Sequence, residues 1–306
     1  MLLNSLHIKG FRSFEDFRVE GFGQVNLIIG KNNAGKTSLL EAIYLYRAKG
    51  GDPLIPINRG EDLLTSQLNL FYGRPSTDST GSISIESDQP ARFGLELKNS
   101  MIRLVNITLG AVDFMVGRSQ FAIPATAPVL IAPATNGGFS IERAWERIQL
   151  TPYEEDVAVC LRLVLPTLER VAMVGNTPKV RLRGGTAPIT MASLGEGITR
   201  LFHIGCGLVT SSNEVCLIEE PETGIHHTVH ADMWRFIFAV AQRYDIQVFA
   251  TTHGLDCLRG FAAATRDFPE VSGRVIRLEN RKGAVASVMF DEDEARIAAR
   301  EEIEIR

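Results

Sequence analysis

No stretch of this sequence approaches the uninterrupted apolar length of a membrane-spanning helix, and the opening Met-Leu-Leu-Asn-Ser-Leu-His lacks the basic region and long apolar run of a secretory leader. Both absences predict a cytoplasmic protein with no membrane partner. Cysteine is sparse: Cys160, Cys206, Cys216 and Cys257 show no C-x-x-C spacing and stand in apolar or helical contexts. That pattern argues against a disulfide framework or a Cys-based zinc site and predicts buried thiols. Charge of one sign is lacking too. A formal net charge of −4 argues against a surface that grips nucleic acid all over, but it permits a local basic groove, so DNA stays an allowed partner. Repeats and low-complexity tracts are absent. What is present is ordinary globular material, 306 residues with 45% hydrophobic and 22% charged, enough to bury one large core or two linked lobes.

One segment stands out. Gly30-Lys-Asn-Asn-Ala-Gly-Lys36-Thr37 satisfies every fixed position of G-x-x-x-x-G-K-[ST], between the apolar run Val25 to Ile29 and the helical stretch Ser38 to Ala48. Glycines at 30 and 35 open turn conformations closed to other residues, so that successive N–H groups and a helix N-terminus can converge on phosphate. The candidate phosphate-binding residues are therefore Gly30, Asn32, Asn33, Ala34, Gly35, Lys36, Thr37 and Ser38. Lys36 would reach the β- and γ-phosphates of a nucleotide, and the Thr37 hydroxyl would bind Mg²⁺. ATP and Mg²⁺ are the cofactors expected.

Around this loop the pattern alternates. Leu2 to Lys9 and Gln24 to Ile29 read as strands, and Gly81 to about Val116 as short antiparallel strands. Gly50 to Thr80 is rich in loop-forming residues, with one apolar helical candidate at Glu61 to Tyr72. Ser140 to Val164 has the spacing of two amphipathic helices. A strand and helix series then follows: strands near Arg170 to Val174 and Lys179 to Arg183, a helix Gly197 to Val209, a strand Val215 to Ile218, a helix His230 to Arg243, a strand Ile246 to Ala250 and a helix from Gly254. This alternation predicts a parallel sheet with crossover helices. A hairpin (Arg274 to Glu279, Ala284 to Phe290) and a charged helix, Asp291 to Glu304, close the sequence.

Three further clusters carry chemistry. Val215-Cys-Leu-Ile218 delivers Glu219, Glu220 and Glu222 at a strand's carboxyl end, where ligands of open α/β sheets bind. There Glu219 would hold Mg²⁺ through water, and Glu220 would act as the general base that activates the attacking water. The next strand, Val248-Phe-Ala-Thr-Thr-His253, ends in a histidine placed to sense the γ-phosphate. Ser193-Leu-Gly195-Glu-Gly197 opens a helix; it reads equally as an anion site or as an ordinary N-cap.

Taken in order, these residues resemble the ABC-type ATPases of the SMC, RecF and OLD (overcoming lysogenization defect) branch, AAA-family ATP-binding proteins. His7-Ile-Lys-Gly-Phe-Arg12-Ser13-Phe14 is similar to the branch's opening strand and turn, GKNNAGKTSLLEAI to its Walker A, SLGEG to its signature motif, LIEEPETGIHH to its Walker B and D-loop, and ATTH to its switch histidine. The resemblance runs from residue 1 to about 260. It implies an α/β P-loop NTPase fold, an ABC ATPase head with an antiparallel β subdomain and a small helical lobe. The parts would be an N-terminal lobe at 1–130, a helical and signature lobe at 131–195 and a C-terminal α/β part at 196–306. It also implies that Arg12 and Ser13 lie near the nucleotide, that Ser193 and Gly195 cap the γ-phosphate of the opposite subunit, and that Glu222 to His226 line the subunit interface. Two departures stand out. Glu219 occupies a position where the family carries Asp, one methylene shorter, and no glutamine stands in an evident Q-loop, Gln67 and Gln120 being the candidates. Ser140 to Val164 leaves room for a short helical cap, not a long coiled coil, and the expectation is an OLD-like ATPase without a fused Toprim domain.

The leading expectation is a cytoplasmic ATPase whose two copies close head to tail around two ATP molecules, with a higher oligomer left open. It would regulate a separate effector, such as a Toprim-like nuclease, in DNA repair or anti-phage defence. The alternative is a slow or non-hydrolysing ATP-bound scaffold that holds a partner protein. A transporter subunit is the third and weakest reading. Lys179, Arg181 and Arg183 share a strand face and read as solvated cations, with a nucleic-acid track as the sharper alternative. His226, His227 and His230 lack the carboxylate or cysteine pattern that would complete a zinc set, and Trp145 and Trp234 read as core.

Overall fold

A computed structural model describes residues 2–48, 63–77, 79–89, 92–106, 110–115, 128–132, 139–212, 214–281 and 283–300. Its centre is a six-stranded sheet in the order β15-β14-β3-β13-β12-β8, formed by β3 (Val25–Ile29), β8 (Val129–Ile131), β12 (Val215–Glu219), β13 (Gln247–Thr251), β14 (Gly273–Arg281) and β15 (Ala284–Phe290). All neighbours run parallel except β14 and β15, which form the hairpin read from the sequence. Covered on both faces, the inner strands are apolar at nearly every position. Their side chains still alternate between two cores. Val25, Leu27, Cys216, Ile218, Val248 and Ala250 face one, and Ile28, Val215, Leu217 and Phe249 face the other.

The first core lies under α5 (Glu196–Thr210), α6 (His230–Tyr244) and α7 (Leu255–Asp267), with α3 (Ile141–Ile148) and α4 (Tyr153–Arg162) packed outside α5. Gly207 lets α5 lie close on β8, since a Cβ there would sit 2.4 Å from Ile131. The second core sandwiches α1 (Lys36–Arg47) between the parallel sheet and a six-stranded antiparallel sheet of order β2-β1-β4-β5-β6-β7. That sheet comprises β1 (Ser5–Phe11), β2 (Phe14–Glu20), β4 (Gly81–Glu86), β5 (Arg92–Lys98), β6 (Met101–Asn106) and β7 (Gly110–Met115). A last helix, α8 (Glu292–Arg300), starts with a reciprocal cap. Asp291 accepts from the Glu294 amide at 2.9 Å, and Glu294 accepts from the Asp291 amide at 3.0 Å. It packs on α7 and β14, and Arg274 pairs with Glu292 at 2.6 Å.

Several expectations need correction. The strands near 170 and 180, β9 (Leu168–Val174) and β10 (Thr177–Leu182), do not join the parallel series. They pair with β11 (Ile189–Thr190) in a separate three-stranded antiparallel sheet, because the Gly175 turn returns the chain directly on itself. The first strand starts later than Leu2, and the turn at Arg12 and Ser13 leads straight into β2, which alternation alone left unread. β8, only three residues long, was also missed; the boundary at residue 130 falls inside it. The helix sought at Glu61 to Tyr72 is the shorter α2 (Leu63–Leu68), on which Gln67 is buried. Gln120, Gly50 to Glu61 and the end of the tail helix lie outside the described residues. Among the described residues no helix is long and apolar enough to cross a membrane.

The four cysteines are free and buried, and burial pushes their thiols upward, so none is a thiolate at neutral pH. Trp145 packs on Phe202, and Trp234 meets Phe261 edge to face at 5.0 Å while donating to the Cys257 sulfur at 3.3 Å. Truncating a large buried aromatic removes transfer energy and leaves a cavity, so Trp234→Ala should destabilise the fold by about 3–5 kcal/mol. Chemical denaturation of the two proteins checks this; a loss under about 1 kcal/mol would show that the α6–α7 core closes over the gap.

Candidate active site

Strand register assembles the site. Glu219, the last residue of β12, is level with Thr251 at the end of β13, and Thr251 is level with Ile28 near the end of β3. The chain segments leaving these three strands therefore emerge side by side at one carboxyl edge.

From β3 the chain enters the phosphate-loop sequence. Gly30, Asn33 and Gly35 all take positive φ, at 146°, 63° and 97°, which turns the backbone into a cradle ahead of α1. The cradle is tight: a Cβ on Gly30 would sit 2.6 Å from the Leu278 carbonyl, and one on Gly35 would sit 3.0 Å from Ser13 Oγ. Ala34 and Ser38 are buried, while Asn32 and Asn33 face solvent. Lys36 folds back over the loop and donates to the carbonyls of Gly30 at 2.8 Å and Lys31 at 3.1 Å. Desolvation draws its ammonium below the ordinary lysine value, and the nearby carboxylates Glu220, Glu219 and Glu222 oppose that shift.

From β12 come the carboxylates. Thr37 donates its hydroxyl to Glu219, which joins the two candidate Mg²⁺ ligands directly. Glu220 adopts a left-handed backbone, φ 47°, unusual for a non-glycine residue, and its amide donates to the Thr251 carbonyl at 3.1 Å. Its carboxylate lies 3.1 Å from His253 Nδ1. Glu222 accepts from the Thr252 hydroxyl, and Thr252 Oγ1 in turn accepts from the Gly254 amide at 2.9 Å, so the turn after β12 braces the peptide carrying His253.

A nucleotide and a divalent cation fit these residues. A hydroxyl and a carboxylate in contact are the hard oxygen donors that Mg²⁺ takes, and the loop is shaped by positions where a Cβ would clash. Ser13 Oγ, buried without a hydrogen-bond partner among the described residues, faces Gly35 of the loop. Arg12, the neighbour of Ser13, is engaged within the chain. Its guanidinium binds both carboxylate oxygens of buried Glu41 on α1, at 2.9 and 3.2 Å, so it serves as a strut between the β1–β2 turn and α1. A carboxylate so deeply buried requires its counter-charge. Ser193 and Gly195 are exposed and, among the described residues, make no hydrogen bond to the phosphate loop; the Ser193 hydroxyl donates to the Thr190 carbonyl at 2.6 Å. The start of α5 presses instead on the turn after β12, with a Cβ on Gly197 falling 2.6 Å from the Gly224 carbonyl.

Sequence reasoning missed Arg200, one turn into α5. It is 6% exposed and donates to the carbonyls of Ala132 at 2.8 Å, of Glu219, and of Glu220 at 3.2 Å. An arginine in an otherwise apolar helix face was the available signal. Among the described residues no group of three or more His, Cys, Asp or Glu could hold a metal, His230 is buried against the Ile225 carbonyl, and Arg181 pairs loosely with Glu169.

A family model described as AAA ATPase domain matches residues 1–77, the segment that holds the phosphate loop. Over 90% of its length the chain is 21% identical to 89% of an ATP/GTP phosphatase of Helicobacter pylori. A shorter match, 53% identical, covers 24% of the chain and 21% of the DNA replication and repair protein RecF of Ligilactobacillus salivarius. Among solved structures, the SMC head domain from Thermotoga maritima superposes with a TM-score of 0.52 at 13% identity, covering 95% of this chain and 100% of that one. The chain is similar to ABC-type ATPases of the SMC and RecF kind. Its antiparallel sheet, the α1 sandwich and the parallel sheet form the P-loop head fold of those structures.

In this ATPase, Gly35→Ala places a side chain at φ 97° and against Ser13, at a cost of about 1–2 kcal/mol for the left-handed backbone alone. Titration with a fluorescent ATP analogue should show affinity reduced about tenfold or more. An unchanged affinity would mean that the loop conformation is not the one that binds.

Proposed function

We propose that the ATPase binds ATP·Mg²⁺ on the 30–38 loop, hydrolyses it with Glu220 as base, and closes into a head-to-tail dimer that governs a separate effector. The observation that carries this reading is the convergence at one sheet edge of Lys36, the Thr37–Glu219 pair and the Glu220–His253 pair. Lys36 would exchange its loop carbonyls for phosphate oxygens. Mg²⁺, held by Thr37 and Glu219, would neutralise charge developing on the β- and γ-phosphates. Glu220 would take a proton from the attacking water, and His253, hydrogen-bonded to it, would orient that carboxylate and face the γ-phosphate.

Dimerisation is supported by the placement of the Ser193–Gly197 turn, exposed and packed on its own 220–226 turn, where a second copy's triphosphate could reach it. ATP would then bridge two chains, and hydrolysis would remove the bridge, a population shift set by differential affinity. The link to DNA repair rests on the RecF similarity, and a protein partner on the likeness to an SMC head solved bound to the C-winged helix domain of ScpA. A Toprim-like nuclease, anti-phage defence and assembly beyond the dimer belong to the same proposal by analogy alone. The longer Glu219 side chain favours slow turnover, so that an ATP-bound dimer holding a partner remains a second reading.

Replacing the base separates the two. Glu220→Gln should lower turnover by about 100-fold or more while ATP binding is kept, read by phosphate release and by nucleotide titration. Equal turnover in the two proteins would remove Glu220 from the chemistry, and a wild type with scarcely measurable release would favour the scaffold.

A further inference from the structure

We propose that Arg200 is the positioning residue that fixes the Glu219–Glu220 peptide in its working conformation and ties it to the helix that carries the Ser193–Gly197 turn. This deepens the reading above and rests on Glu220 acting as the base. One guanidinium nitrogen, Nη2, donates to two successive carbonyls, those of Glu219 and Glu220, while Nη1 donates to Ala132, the residue that follows β8, and Nε is buried without a partner among the described residues. One side chain thus knits the carboxyl ends of neighbouring strands β8 and β12 at the point where the sheet stops supplying hydrogen bonds. Two consecutive carbonyls can face the same donor because Glu220 turns to φ 47°.

The residue type is specific. Arginine presents several donors in a rigid planar fork, whereas the lysine ammonium is a compact point charge on a flexible stem and cannot match that span. Burial pulls the Arg200 guanidinium down to about 10, and Glu222, Glu219 and Glu220 oppose that pull, so the charge is kept where three carboxylates surround it. The helix that bears Arg200 is seated near both ends by close approaches, Gly197 on the Gly224 carbonyl and Gly207 on the Ile131 side chain. Any shift of α5 that follows engagement of Ser193 would therefore reach the Glu220 peptide through this fork. No other described side chain bonds both carbonyls.

The test is a double-mutant cycle on ATP hydrolysis under single-turnover conditions, which keeps slow rates readable. Arg200→Lys should slow the chemical step by about 100-fold, as expected of a misplaced catalytic group, with nucleotide affinity and thermal midpoint near wild type. In a Glu220→Gln background the same change should cost less than about twofold, because both act through one carboxylate. Losses that multiply, or an Arg200→Lys rate within about threefold of wild type, would overturn the role of Arg200 alone. Wild-type turnover in Glu220→Gln by itself would overturn the base assignment and this proposal with it. Should Arg200→Lys fail to fold, Arg200→Gln, which keeps a neutral donor and removes the buried charge, is held to the same criteria.

Discussion

The in-register parallel pairing of β3, β13 and β12 is the constraint on which the site depends. Because Ile28, Thr251 and Glu219 are level, three turns of different chemistry leave the sheet within reach of one another. One is a glycine-shaped loop, one a histidine and one a run of carboxylates. A one-residue slip in either pairing would invert the strand's faces and exchange its residues between the two cores. The alternation of Ile28, Leu217 and Phe249 into one core and of Leu27, Ile218 and Ala250 into the other holds the register, so packing and chemistry are fixed by the same side chains.

Charge at that edge is arranged with equal economy. Glu219, Glu220 and Glu222 gather beside two buried or half-buried cations, Lys36 and Arg200, both of which burial disfavours and the carboxylates sustain. The negative excess suits a divalent cation, and the cations are placed differently. Lys36 lies over the phosphate loop and is free to exchange its carbonyl partners, while Arg200 lies beneath the carboxylates and bonds their main chain. The 220–226 turn connects both regions, since Glu222 braces Thr252 and Gly224 receives Gly197.

The loop, the acidic strand and the histidine were legible because each joins a short motif to an apolar run of unmistakable length. The four-strand antiparallel series from Gly81 was legible through its alternation, and the helices α5, α6 and α7 through their apolar spacing. What was not legible depended on partners far away in sequence. β8 is three residues long and is a strand only because β12 lies beside it. β9 and β10 carry ordinary strand patterns that say nothing of which sheet they join. Arg12 is drawn to Glu41 by a burial that the sequence does not reveal, and Arg200 gains its meaning only when two main-chain carbonyls turn toward it. The register itself, which decides the site, is a long-range property.

Ser193 and Gly195 are exposed and, among the described residues, make no hydrogen bond to their own phosphate loop, so under the proposed dimer they and that loop would be two half-sites. Each half-site would be completed by the complementary half of a second copy, so that ATP binding and association are one event. The most direct measurement is the molar mass of Glu220→Gln in solution by light scattering, with Mg²⁺, with and without ATP. The account predicts a mass that doubles only with ATP and stays single when Ser193→Arg is added. A mass indifferent to ATP, with the nucleotide shown to be bound, would contradict it.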